Sequence, residues 1–220
     1  MNNIELSEEF RKSSIYKGLE EVNALLEKHD APSVNLNVIG GCAMILHGYK
    51  DPYRTDIDYV GENAFTEELM AQIDKIGKKN GLGAGWINND VLLSGNTLED
   101  MECATGKLHF YPVFEMSKIN VSVLDAKDLL RMKVIAVDTS LTALEMGGEF
   151  TRLKDLPDIA ALMDKRNLDI LGLELEIYQI SDISDMTYKV IDEYHRNRDI
   201  AAIMDMVKPK GKEHTLPVER

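Results

Sequence analysis

The chain changes character near Asp125, and this change limits its fold more than any other feature of the sequence. Before Asp125, β-branched segments alternate with amphipathic helical segments, whereas only helical patterns follow it. Short strands that alternate with helices predict a small mixed sheet with helices packed on it. We therefore expect an α/β (α+β) fold, with a core over residues 1–125 and a C-terminal helical region over residues 126–220 packed on that core.

Apolar periodicity predicts where the helices lie. A single long helix is expected over residues 7–29, and a second is expected to start after the capping residue Thr66. The segments AKDLLRMKVIAVDTS and RLKDLPDIAALMDKRN predict further helices, and one or two more are expected before Met206. The segments VNLNVIGG, TDIDYVG, KLHFYPVF and KINVSVLD have the composition of strands. A short strand is also expected over residues 91–93.

Charge and cysteine content exclude several classes of protein. Lys and Arg number 25 against 38 Asp and Glu, for a net charge of −13, which disfavours broad contact with a phosphate backbone. The two cysteines, Cys42 and Cys103, lie far apart and lack zinc-ligand spacing, so buried thiols in a reducing compartment are expected. The N-terminus lacks an apolar signal core, and no apolar run reaches the roughly 20 residues that span a bilayer. We expect a cytoplasmic protein with no membrane contact.

The segment VIGGCAMILHGYKDPYRTDIDYV, residues 38–60, contains the pattern with the clearest chemistry. The glycine pair Gly40–Gly41 follows a strand and precedes a short helix, and two aspartates stand one residue apart in the next strand. Strand alternation places Asp56 and Asp58 on the same face, with Ile57 directed into the core. Two adjacent carboxylates repel each other unless a positive partner lies between them.

A divalent metal with a nucleotide phosphate chain supplies such a partner. A glycine turn lets phosphate oxygens approach backbone N–H groups, and Mg²⁺ prefers oxygen ligands and bridges to substrate phosphates. The alternative is a solvated carboxylate pair at a strand end. His47 is either a phosphate contact or a structural residue of the short helix, and Trp86 either stacks on a base or anchors its loop by packing.

Five segments in order resemble the nucleotidyltransferase superfamily, in the minimal bacterial branch that includes abortive-infection toxins of the AbiEii type. They are the glycine pair with Ala43, the run from His47 to Tyr49, the run from Arg54 to Asp58, and the later segments DLLRMKVIAV and RLKDLPDIAAL. The resemblance spans residues 38–162 and implies a nucleotidyltransferase-like mixed sheet flanked by helices.

The resemblance also implies roles for residues. Asp56 and Asp58 would bind the catalytic Mg²⁺ or Mn²⁺, while Lys133, Asp155 and Asp158 would complete the catalytic set. The implied nucleotide-binding residues are Gly40, Gly41, Arg54, Thr55 and Lys154. Without the resemblance, Lys133 is equally well a solvated helix residue, and the charges from Lys154 to Asp158 are equally well a helix N-terminal cluster.

The chain departs from the superfamily pattern at two places. Other branches have Gly-Ser where this chain has Gly40–Gly41, which removes a hydroxyl group. Many members carry a third carboxylate on a later strand, where this chain has His109, Phe110 and Tyr111. Asp90, Glu102 and Glu115 are the remaining candidates for that carboxylate, which would help to deprotonate an attacking hydroxyl group.

The expected function is a Mg²⁺-dependent nucleotidyltransferase, which transfers a nucleoside monophosphate from an NTP to a hydroxyl or phosphate acceptor. The acceptor is a small molecule, a protein or RNA, and the same chemistry would serve the toxin of a toxin–antitoxin pair with an antitoxin partner. One alternative is a catalytically inactive nucleotide-binding or protein-binding module with the same fold. Another is an adenylyltransferase that modifies aminoglycoside-type antibiotics.

Overall fold

The structure, a computed structural model, describes residues 6–52, 56–61, 65–89, 102, 107–177 and 182–208. No helix in these ranges is both long enough and apolar enough to cross a membrane. The helices of these ranges considered below are α1 (Glu8–Lys12), α2 (Ser14–Lys28), α3 (Gly40–Leu46), α4 (Glu67–Lys79), α5 (Ala126–Glu145), α6 (Leu156–Arg166), α7 (Ile170–Ile177), α8 (Asp185–Asn197) and α9 (Ile200–Val207). A 3₁₀ turn, Leu153–Asp155, leads directly into α6.

Five strands form one mixed sheet in the order β3-β2-β1-β5-β4. Their bounds are β1 (Val34–Val38), β2 (Ile57–Val60), β3 (Ile87–Asn88), β4 (Phe110–Glu115) and β5 (Ile119–Leu124). Strand β1 is antiparallel to β2 and parallel to β5, while β4 and β5 form an antiparallel pair. The predicted α/β class, with a small mixed sheet flanked by helices and a helical C-terminal region, is confirmed. The boundary at residue 125 stays a prediction.

The two faces of the sheet differ in polarity. On one face the paired residues of β1 and β5 are apolar and buried: Val34, Leu36, Val38, Ile119, Val121 and Val123. On the other face they are polar and exposed or half-buried: Asn35, Asn37, Asn120 and Ser122. Asp58 lies two residues before Val60, which pairs with Asn37, so Asp58 belongs to the polar face. The apolar face packs into the core, and the other face is covered in part, since Val60, which pairs with Asn37, is fully buried.

The prediction of one helix over residues 7–29 is wrong in one respect, because the helix is broken at Ser13. The Ser13 side chain accepts a hydrogen bond from the N–H of Tyr16, which caps the start of α2. Its hydroxyl group also donates to the carbonyl of Phe10 at 2.6 Å, which closes α1. A serine that bonds to local backbone groups competes with continuous helix, and here it starts a new one.

Trp86 anchors its loop by packing and is fully buried. Its indole N–H donates to the carbonyl of Ile73 at 3.0 Å. Two helical glycines make room for the ring, since a Cβ atom on Gly77 would lie 2.2 Å from Trp86 Cδ1 and one on Gly18 would lie 2.7 Å from Cη2. Packing, and not base stacking, is therefore the role that the structure gives Trp86. The strand expected at residues 91–93 lies outside the described residues, and the strand observed in this region is β3.

Candidate nucleotide site

The carboxyl ends of β1 and β5 and the amino end of β2 meet at one edge of the sheet. This follows from the parallel register of Val38 with Val123 and the antiparallel register of Val38 with Tyr59. At this edge the N–H of Ile39 donates to the carbonyl of Asp58 at 2.9 Å. The glycine pair that follows β1 and the aspartate of β2 are thereby held side by side.

Gly40 lies against the carboxylate of Asp58. It has a φ of +64°, in the left-handed region that favours glycine. A Cβ atom at this position would lie 2.9 Å from Asp58 Oδ2, closer than carbon atoms approach such an oxygen. The absence of a side chain at Gly40 thus has two local reasons, the backbone angle and the nearby carboxylate. In the sequence, 16 residues lie between Gly41 and Asp58. The fold brings the glycine pair and the aspartate together.

Asp56 and Asp58 occupy the start of β2 in the expected alternation. Asp56 is exposed just before the strand, Ile57 is buried, Asp58 is half-buried and Tyr59 is buried. The two other predicted nucleotide-binding residues of this segment, Arg54 and Thr55, lie outside the described residues. The alternation supports a pair of carboxylates on the polar face of the sheet.

The donor set at this edge fits Mg²⁺. The ion is commonly held in proteins by one or two carboxylates, with substrate phosphates and water as its other ligands. Asp56 and Asp58 supply two such carboxylates, and Asp58 Oδ2 lies 2.9 Å from the place that a Cβ atom on Gly40 would take. In the described residues no group of three or more His, Cys, Asp or Glu side chains could hold a metal on its own. The ion would therefore depend on the nucleotide for part of its coordination.

Neither of the described candidates for a third carboxylate, Glu102 and Glu115, forms a hydrogen bond or ion pair that links it to Asp56 and Asp58 among the described contacts. Glu102 accepts a hydrogen bond from the N–H of Leu108 at 3.2 Å, and Glu115 is exposed at the end of β4. Asp90 lies outside the described residues. The described residues therefore assign no third carboxylate, and hence no general base, to the site.

A buried ionic cluster lies between α5 and the start of α6, and we call it the Lys133 cluster. It consists of Lys133, Asp155 and Asp158, which are 7%, 6% and 6% exposed. Lys133 Nζ lies 2.8 Å from Asp155 Oδ1 and 2.8 Å from Asp158 Oδ2. These three residues, which the sequence predicted as part of one site, are in direct contact, so the reading of Lys133 as a solvated helix residue is wrong.

Two cations that the sequence reasoning missed border the Lys133 cluster. Lys50 Nζ lies 3.1 Å from Asp158 Oδ1, and Arg152 Nη1 lies 3.7 Å from Asp155 Oδ2. Arg152 could have been found from its i, i+3 spacing to Asp155, whereas Lys50 is 108 residues from its partner and has no local signal. Lys154, which was predicted to bind nucleotide, is exposed.

A second buried ionic group connects β4 to α5. Asp128 accepts hydrogen bonds from the N–H of His109 at 2.8 Å and pairs with His109 Nδ1 at 2.9 Å, and Arg131 also binds it. Burial lowers the pKa of the Arg131 guanidinium, and its Nε has no hydrogen-bond partner among the described residues. His109, one of the residues at the place where many members of the superfamily carry a third carboxylate, is therefore tied to Asp128.

His47 has a structural role in the described part of the chain. Its Nε2 lies 2.7 Å from the carbonyl oxygen of Leu124, and its ring stacks on Tyr49 with centroids 5.4 Å apart. These contacts hold the end of α3 against the end of β5. The structural reading of His47 is the one supported.

Cys42 lies on α3, and its buried thiol allows the packing of this helix to be tested. Burial, with a smaller contribution from the charge of Asp58, raises the pKa of its thiol from about 9 to about 12. Because the unfolded thiol ionises first, the free energy of unfolding should fall as the pH rises from about 9 towards 12, and Cys42→Ala should remove that part of the decline.

In a Cys103→Ser background we expect a thiol reagent at pH 8 to label Cys42 slowly until denaturant is added. Rapid labelling of the native protein would contradict the buried placement.

In comparisons with protein-family models, curated proteins and solved structures, the chain has no match. The function therefore has to be argued from the site itself, because a fold class alone does not define an activity.

Proposed function

We propose that the protein is a Mg²⁺-dependent nucleotidyltransferase, which transfers a nucleoside monophosphate from an NTP to a hydroxyl or phosphate acceptor. The observation that carries the proposal is the contact between the glycine turn and Asp58. Gly40 has a positive φ and faces Asp58 Oδ2 with no side chain between them. A glycine turn beside paired carboxylates suits a phosphate chain that shares a metal with the protein.

The residues of the chain would divide the work in a simple way. Asp56 and Asp58 would hold the metal, which when bound neutralises charge on the phosphates and orients the reacting groups. Gly40 and Gly41 would let the phosphates approach the backbone closely. Most of the rate enhancement would then come from positioning and electrostatic stabilisation, with pyrophosphate as the leaving group.

The second candidate function is a nucleotide-binding module without turnover. It is favoured by one observation, since no third carboxylate joins Asp56 and Asp58 in a metal-binding group among the described residues. Binding of Mg²⁺ and NTP without release of pyrophosphate would support this candidate. The role as a toxin with an antitoxin partner and the role in antibiotic modification stay predictions about the acceptor and the biological setting.

Calorimetric titration of ATP, GTP, CTP and UTP with Mg²⁺ tests the proposal. We expect at least one nucleotide to bind the wild type, and the Asp56→Asn/Asp58→Asn variant to bind it at least about tenfold more weakly, a loss of about 1.4 kcal/mol or more. The reason is that two neutral amides cannot replace two anionic metal ligands. The matched control is Glu9→Gln/Asp205→Asn, which removes two exposed carboxylates on α1 and α9.

The control should bind nucleotide like the wild type. If the folded wild type binds none of the four nucleotides, or if it binds one equally well with and without Asp56 and Asp58, the proposed function is wrong. Release of pyrophosphate should then be measured with RNA, a protein mixture and an aminoglycoside as separate acceptors. Release that needs one of the three would identify the acceptor class.

A further inference from the structure

The oxygen atoms of the Lys133 cluster are shared in a regular way between buried and exposed cations. Each aspartate gives one oxygen to Lys133, at 2.8 Å in both cases. The other oxygen of Asp158 faces Lys50, and the other oxygen of Asp155 faces Arg152. The side chains of Lys50 and Arg152 are both 47% exposed, whereas that of Lys133 is 8% exposed. Lys50 and Arg152 therefore present two cations to solvent at the border of the cluster, and Lys133 is kept inside it.

The charges of these five groups do not cancel. Three cations face two carboxylates, which leaves one net positive charge on this group. The net charge of the whole chain is −13. The pair of Arg152 with Asp155 is also loose, at 3.7 Å, so the guanidinium has hydrogen-bonding capacity to spare. A polyanion would find two half-exposed cations here in surroundings that otherwise repel it.

We propose that Lys50 and Arg152 bind the β- and γ-phosphates of the nucleotide, and that Lys133 is a positioning residue. The proposal rests on the proposed function, since it names the part of an NTP that these two cations would hold. It also differs from the role that the resemblance implies for Lys133, which is a place in the catalytic set.

The contacts explain why the roles divide in this way. Lys133 is enclosed by two carboxylates, and moving it to a ligand would leave both of them buried without their shared partner. Lys50 and Arg152 can turn to a ligand at lower cost, because each is half-exposed and the carboxylate that it leaves still contacts Lys133. Lys50 also lies six positions before Asp56 in the chain, so at most about 22 Å of extended chain separates the two residues.

Calorimetric titration of inorganic tripolyphosphate, without divalent metal, tests the two cations separately from the aspartate pair. We expect Lys50→Met and Arg152→Met each to weaken binding by about tenfold, as the loss of a charge-assisted contact does. Lys50→Arg keeps the charge and should retain most of the affinity. The matched control is Lys165→Met, which removes an exposed cation near the end of α6 and should change binding less than about twofold.

The possible results separate this inference from the proposed function. If the wild type does not bind tripolyphosphate, or if Lys165→Met weakens binding as much as the other two variants do, the inference is overturned. If Lys50→Met and Arg152→Met bind tripolyphosphate like the wild type, and also bind nucleotide with Mg²⁺ like the wild type, only the inference fails. If tripolyphosphate binding needs Lys50 and Arg152 but no nucleotide binds through Asp56 and Asp58, the anion site stands and the proposed function fails.

Discussion

Gly40→Ala is expected to weaken Mg²⁺-dependent nucleotide binding by at least about tenfold, equivalent to about 1.4 kcal/mol. The new methyl group would lie 2.9 Å from Asp58 Oδ2, so the carboxylate must shift out of the position it shares with the glycine turn. The positive φ of 64° adds a backbone cost of about 1–3 kcal/mol to the folded state. Calorimetry would measure the affinity, and thermal unfolding would measure the loss of stability.

Gly48→Ala is a matched control for this variant. Gly48 has a similar φ of +71°, but a Cβ atom at that position would have no neighbour within 4 Å. The two variants should therefore lose comparable stability from backbone strain, while Gly40→Ala alone loses nucleotide affinity. Equal losses of affinity in the two variants would mean that strain, and not the contact with Asp58, limits binding.

The strands next to the site were predictable because burial alternates along most of their length. In β1 and β5 every second residue is apolar and buried, and this period of two is visible in the letters of the sequence. The capping residue Thr66 was predictable for a similar reason, since its side chain accepts a bond from the N–H of Leu69, three residues away. Local patterns with local causes were therefore correctly predicted.

Features that depend on local competition or on distant partners were not predictable in the same way. Ser13 breaks a periodic apolar pattern by bonding to its neighbours, which periodicity alone does not reveal. The two-residue strand β3 exists because β2 offers it a parallel partner, as Ile57 pairs with Ile87. Such a short segment has no period of its own to recognise.

In the candidate site too, some contacts were indicated by sequence motifs and others depend on distant partners. The resemblance of spaced motifs assigned Lys133, Asp155 and Asp158 to one site, and the structure shows the lysine in contact with both aspartates. It did not indicate that the lysine is enclosed, because enclosure depends on how α5 packs against the start of α6. Lys50 joins the group across 108 positions of sequence, a contact that only the folded chain defines.

Lys133→Met is expected to destabilise the protein by about 3–5 kcal/mol, the cost of removing one partner from a buried ion pair. The substitution keeps most of the aliphatic stem but leaves Asp155 and Asp158, each 6% exposed, without their shared cation. Lys50 and Arg152 cannot replace it fully, because they are half-exposed and reach only the outer oxygens. Chemical denaturation at neutral pH would measure the change in the free energy of unfolding.

Two further variants distinguish loss of charge balance from loss of packing. Lys127→Met, on the exposed side of the same helix, should change stability by no more than about 0.5 kcal/mol. Adding Asp155→Asn and Asp158→Asn to Lys133→Met removes the uncompensated charges and should recover most of the lost stability. If Lys133→Met alone is as stable as Lys127→Met, the lysine is not enclosed as described. If the triple variant recovers nothing, the cost lies in packing around the stem, and the two carboxylates do not depend on Lys133 for their place in the site.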